Sequence, residues 1–182
     1  MSILDAFQMF DLTTAPRNLA QVVGTYASTN TLDYGITSGI PSSANGGGAR
    51  DMGVGDDPAL KLLVQVTTTF TSGGAGTLAV ALQGAVDDGT GAPAAFSTWW
   101  SSPVYALATL NASSRILDMD FPRPPDGIAV PRFVRLLYSV AGATMTAGAV
   151  VAGVVLDRPD QMYQGTDNSI IGGYPAGVTV TN

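Results

Sequence analysis

An all-β protein, a jelly roll or antiparallel β-sandwich with extended N- and C-terminal arms, is predicted by three observations in this sequence. All 14 acidic residues are aspartate, and Lys61 is the one lysine among the 8 basic residues, so the long, flexible helix formers Glu and Lys are nearly missing. Several segments alternate apolar and polar residues at period two and are rich in Val, Thr and aromatic side chains. Clusters of Gly, Asn, Asp, Ser and Pro separate them, as in a sandwich or jelly roll of short strands.

Taken in order, residues 1–20 carry Ile3, Leu4, Phe7, Met9, Phe10 and Leu12 with no partner strand evident, and are assigned to an N-terminal arm. The jelly-roll domain is assigned to residues 21–157. Within it, the stretch from Ile36 to Ala59 has no clear strand, and loops beyond about 12–15 residues tend to be functional or mobile. A half-buried strand follows, with Leu60, Leu62, Val64, Val66 and Phe70 on one face and Lys61, Gln65, Thr67 and Thr69 on the other. The glycine-rich turn at 71–76 returns the chain as Leu78, Val80 and Leu82, which reads as a hairpin. One or two strands fit 96–107; Leu117, Met119 and Phe121 share a face, and Pro122, Pro124 and Pro125 stiffen the next loop. Val134, Leu136, Tyr138 and Val140 face inward on the following strand, and 144–156 forms the last long one. Residues 158–182, rich in Gly, Asn, Asp and Pro yet containing Tyr163, Ile170, Ile171, Tyr174 and Val178, are assigned to a C-terminal arm. Ordering an extended arm costs about 1–2 kcal/mol per residue in backbone entropy, so apolar arms are expected to lie against another chain.

Composition removes several classes of function. The net charge of −6 comes without a basic run, so no nucleic-acid partner is expected. The absence of cysteine and histidine removes disulfides, thiolate nucleophiles, Cys/His zinc sites and histidine acid–base catalysis. Mainly aspartate chemistry remains for an enzyme, and no cofactor is expected. The N-terminus has no positive charge and no long apolar core of an export signal. Leu136 to Leu156 is a run of 21 uncharged residues, long enough to span a bilayer, but Ser139-Val140-Ala141-Gly142-Ala143-Thr144 breaks it. Two strands joined by a turn explain it, and no membrane partner is expected.

The stretch Arg50-Asp51-Met52-Gly53-Val54-Gly55-Asp56-Asp57-Pro58 has the look of a site. It lacks the Gly-Lys-Ser/Thr ending of a phosphate loop, and its aspartates repel phosphate. As a calcium loop it offers Asp51, Asp56 and Asp57 but not the ligand spacing of an EF-hand; a turn whose aspartates bond their own backbone is the simpler reading. Asp118 and Asp120 share a strand face at roughly 6.5–7 Å, a separation compatible with a glycosidase pair or with a plain solvated face beside Trp99 or Trp100. On a regular strand Trp99 and Trp100 do not both point inward, so one is either a partner anchor or a tryptophan at the sandwich edge. Asn111-Ala112-Ser113 matches the glycosylation sequon, which has little meaning without an export signal.

The chain also resembles the jelly-roll capsid cement, or decoration, proteins of tailed bacteriophages, of the type described for a Bordetella phage. The stretches that carry the resemblance are Ile3-Leu4-Asp5-Ala6, Ala27-Ser28-Thr29-Asn30-Thr31-Leu32-Asp33-Tyr34-Gly35, and Asp51 to Asp57 running into Leu62-Leu63-Val64-Gln65-Val66-Thr67. Further matches are Gly76 to Gln83, Thr146 to Asp157, and the ending Tyr174-Pro175-Ala176-Gly177-Val178-Thr179-Val180. The resemblance implies a homo-oligomer, dimer or trimer, on the outer surface of a virion capsid built from HK97-fold subunits. It would be made in the host cytoplasm, with the major capsid protein as its partner and no catalytic residues. Ile3, Leu4, Phe7, Phe10, Trp99, Trp100, Tyr163 and Tyr174 are the candidate contacts. The glycine-rich insert Gly39 to Gly48 and the Gly84 to Ala95 turn depart from the pattern, so lateral contacts are expected to differ there. The alternative is a calcium- or carbohydrate-binding jelly-roll virion protein.

Overall fold

A computed structural model describes residues 9–34, 60–122 and 131–155, together with the backbone of 163–164 and 169–170. Its strands are β1 (Met9–Asp11), β2 (Arg17–Asn18), β3 (Gly24–Ala27), β4 (Leu32–Asp33), β5 (Lys61–Ser72), β6 (Thr77–Ala85) and β7 (Ser97–Ser101). They continue as β8 (Tyr105–Ala106), β9 (Arg115–Asp120), β10 (Phe133–Ala141), β11 (Met145–Val155), β12 (Tyr163–Gln164) and β13 (Ser169–Ile170). No α-helix occurs among the described residues, as the scarcity of Glu and Lys predicts.

Two antiparallel sheets pack face to face. The first has the order β1-β11-β5-β9, with β2 also on β11; the second has the order β3-β10-β6-β7, with β4 on β10 and β8 on β6. Following the eight strands of those two orders along the chain, each step crosses to the other sheet except β6 to β7, which stays within the second sheet. That is the topology of a jelly roll. Leu62, Val64 and Val66 of the first sheet and Val80, Leu82, Leu136 and Tyr138 of the second fill the space between, with Phe70, Val150 and Val154. The alternation in each segment therefore picks out the core face correctly.

The expected 60–83 hairpin is not formed. β5 pairs with β11 and β9, whereas β6 pairs with β10 and β7, so the turn at 73–76 is an arch between sheets. β10 and β11, the two strands of the uncharged run, are linked by a second arch at 142–144. Period-two alternation gives a strand one apolar face, and it is the same whether the next strand lies beside it or across from it. No helix of the described residues is long and apolar enough to cross a membrane.

The stretch 9–20, assigned on sequence to an arm, is part of the sandwich. β1 and β2 both pair with β11, and Phe10 and Leu19 are fully buried in the core. The anchor is polar. Asp11 is buried and its carboxyl accepts the Tyr138 hydroxyl at 2.5 Å and the Thr29 amide at 2.8 Å. Asn30 donates from its side chain to the Met9 carbonyl at 3.1 Å and from its amide to the Phe10 carbonyl at 2.8 Å. Ser28 exchanges bonds with Leu136, giving its amide to the carbonyl and accepting the Leu136 amide at its hydroxyl. These partners lie far apart in sequence, which is why local periodicity leaves β1 without a mate. A register shift between Met9 and Asp11 turns both Phe10 and Asp11 toward the core.

A candidate interaction surface at one end of the sandwich

The two arches fix one end of the molecule: Ser72, Thr77, Ala141 and Met145 lie together there, with Ser72 paired to Met145 and its hydroxyl donating to the Thr144 carbonyl at 2.8 Å. The opposite end holds Lys61, Ala85, Phe133 and Val155. Register places more residues beside them: Met9 faces Gly153, Asp120 faces Lys61, and Asp33 faces Phe133. Tyr34 donates its amide to the Arg132 carbonyl, and Phe121 donates to Leu60. Met9, Tyr34, Leu60, Pro122, Pro131 and Val155 therefore all lie at this end. The arch end is closed by short turns.

An ion cluster rigidifies the open end. Arg132 holds Asp33 with two parallel bonds, from Nε at 2.8 Å and Nη2 at 2.9 Å, and reaches Asp87 through Nη1. This bidentate geometry is the strong form of an arginine–carboxylate pair. Asp87 also accepts the amides of Gly89 and Gly91, and Asp88 accepts the amide and hydroxyl of Thr90, so the Asp87-Asp88-Gly89-Thr90-Gly91 turn is built on its own aspartates. The backbone donors at Gly91 and Gly89, with help from Arg132, hold the Asp87 carboxyl below the ordinary value of 3.8. A carboxylate stabilised in this way contributes to stability above its unfolded pKa, and the contribution is lost as pH falls through the folded one. Arg132→Met should therefore flatten the acid limb of the stability–pH curve below about pH 4 in denaturant titrations, and more so at low salt.

Further along the second sheet's outer face, the Arg135 guanidinium stacks 3.8 Å from the Phe96 ring centroid and donates to Gln83 at 2.9 Å. Gln83 in turn donates to the Thr98 hydroxyl at 3.0 Å.

The tryptophans correct an expectation. The β6–β7 register shifts between Leu82 and Gln83, with Leu82 opposite Trp100 and Gln83 opposite Thr98, so Trp99 is the extra residue of a bulge. Both indoles are consequently half-buried and packed on the core. Trp99 lies over Gly84: a Cβ there would meet the indole and would stand 2.7 Å from Pro131 Cβ. Trp99 Nε1 is buried without a hydrogen-bond partner. Both rings pack at the sandwich edge with part of their surface exposed, and the bulge is what permits it.

The remaining sequence candidates fall out as follows. Phe10 is a core residue of this chain. Ile3, Leu4, Phe7 and Tyr174, and the Asp51, Asp56 and Asp57 loop, lie outside the described residues, and of Tyr163 only the strand backbone is described. Asp118 and Asp120 are exposed on the outer face of β9 as expected, but Asp120 is paired with Lys61 at 2.7 Å, and both belong to the first sheet while the tryptophans belong to the second. No group of acidic side chains able to hold a metal occurs among the described residues. Sequence reasoning missed Arg132, Asp33 and Asp11, which become a site only through long-range pairing; the Asp-Asp-Gly turn was the one local signal.

Comparison with known proteins gives a family match. The Bbp16 family model covers residues 18–154, from the second residue of β2 to the penultimate residue of β11, so the match takes in the sandwich apart from β1. No curated protein matches the chain. With the match spanning most of its length, the chain belongs to the Bbp16 family of Bordetella phage proteins.

Proposed function

We propose that this protein is a structural cement, or decoration, protein that binds the outside of an HK97-fold phage capsid and stabilises contacts between major capsid subunits. The observation that carries the reading is the polarity of the sandwich. One end is closed by two tight arches, while Met9, Tyr34, Leu60, Pro122, Pro131 and Val155, which adjoin segments 1–8, 35–59, 123–130 and 156–182, lie at the end braced by Arg132, Asp33 and Asp87. Segments grouped in this way can reach several neighbouring subunits from one rigid base, and many copies on a shell add avidity. Membership of a phage protein family supplies the setting. The role needs no catalytic group, and the partner is protein: the major capsid protein, with a dimer or trimer of this chain seated on a symmetry axis.

The test is decoration of expanded capsids, read by co-sedimentation. Removing residues 1–8 is expected to lower binding at least tenfold with the thermal midpoint unchanged; undiminished decoration would sink the role given to that segment. The deletion has to stop at residue 8. Extending it to residue 13 removes Phe10 and Asp11 and would unfold the domain instead.

A further inference from the structure

The outward face of the first sheet is apolar and buried. Along β11, Val150, Ala152 and Val154 belong to the core, so Val151, Gly153 and Val155 project the other way. The same alternation turns Leu63 of β5 outward, between Leu62 and Val64. Gly153 stands opposite Leu63 on one side and Met9 on the other, which joins these side chains into one patch. Their exposures are 9% for Leu63, 7% for Val151, and 3% for both Met9 and Val155. The outward residues of the central strand of the other sheet, Arg135, Leu137 and Ser139, are only half-buried. An antiparallel sheet with one solvated face should be polar there, and neither sheet supplies a layer over this patch.

We propose that the patch is the docking site of the chain's own C-terminal segment, residues 156–182. That segment begins directly after Val155, itself a member of the patch, so no linker has to be ordered to bring it there. From Asn168 to Asn182 it carries no charge, and it contains Ile170, Ile171, Tyr174 and Val178. Its β12 and β13 pair only two residues each, and a two-stranded hairpin is marginal in water without a surface to pack on. The N-terminal segment also adjoins the patch, at Met9, but it offers only eight residues, Asp5 among them, against the 27 of 156–182. On this assignment Tyr163 and Tyr174 serve the fold of their own chain, and capsid contact falls to the other segments at the open end. The inference is independent of the capsid reading.

The chain has no cysteine, so Val151→Cys provides a single thiol on the patch and Ala152→Cys a single thiol on the core side of the same strand. Labelling of the full-length native protein with an aromatic disulfide is expected to be at least tenfold slower at either than at the exposed control Val104→Cys, at every protein concentration. Adding Ile170→Asp and Ile171→Asp should raise the ratio of the residue-151 rate to the residue-152 rate at least tenfold; adding Ile3→Asp and Phe7→Asp should not. The ratio separates local uncovering from unfolding. An unchanged ratio, uncovering by the N-terminal pair, or protection that disappears on dilution as for a second copy would each overturn the proposal.

Discussion

Asp11→Ala is expected to lower stability by about 3–6 kcal/mol, because it removes two hydrogen bonds to a carboxyl group worth about 1.5–3 kcal/mol each. The change strands the Tyr138 hydroxyl in a fully buried site and takes the acceptor from the amide of Thr29, an exposed residue. Domains are stable by only about 5–15 kcal/mol, so urea unfolding should show a large fall in midpoint. Tyr138→Phe removes the other partner, and the double variant should cost clearly less than the sum of the two, since each single change leaves a buried polar group alone. Additive costs would mean that the pair does not act as a unit.

The same pair sets an alkaline limit. Burial, and then the Asp11 carboxyl beside it, push the Tyr138 hydroxyl well above its ordinary value of 10.0. A raised pKa means that the fold prefers the protonated phenol, so this stability is fully present below pH 10 and is lost as pH rises beyond it. In Tyr138→Phe the alkaline loss should be smaller.

Gly148→Ala is the second large effect, expected at about 2–6 kcal/mol from left-handed backbone strain of about 1–3 and overpacking of about 1–3. Gly148 has a φ of +142°, and an added Cβ would press into the Phe70 ring, 2.6 Å from Cγ. The site lies where β11 slips register against β5, and the slip seats Phe70 in the core. Combining Gly148→Ala with Phe70→Leu should recover the overpacking part and leave the strain. A single variant with an unchanged urea midpoint would show that the backbone can relax here.

The strands themselves were legible. Leu62, Val64 and Val66, then Leu78, Val80 and Leu82, then Val134, Leu136, Tyr138 and Val140 were all assigned to the core by alternation, and all are buried. Pairing was not. The 60–83 segment reads equally well as a hairpin or as an arch, and Phe10 reads as an arm residue until Asp11 meets Tyr138, 127 positions away. Of the candidate surface, the sequence showed the Asp-Asp-Gly turn but not the arginine that ties it to Asp33.

By itself, then, the sequence determined that this is an all-β jelly roll with particular inward faces and with the marks of its phage family, because alternation, turn chemistry and the missing helix formers act locally. Only the tertiary structure decided which strands share a sheet, that residues 9–20 belong to the sandwich, that a bulge packs Trp99 and Trp100 on the core together, and that Arg132 joins Asp33 to Asp87 at one end. Those outcomes depend on registers and hydrogen bonds between residues far apart in the chain, and a period-two pattern carries no information about its partner.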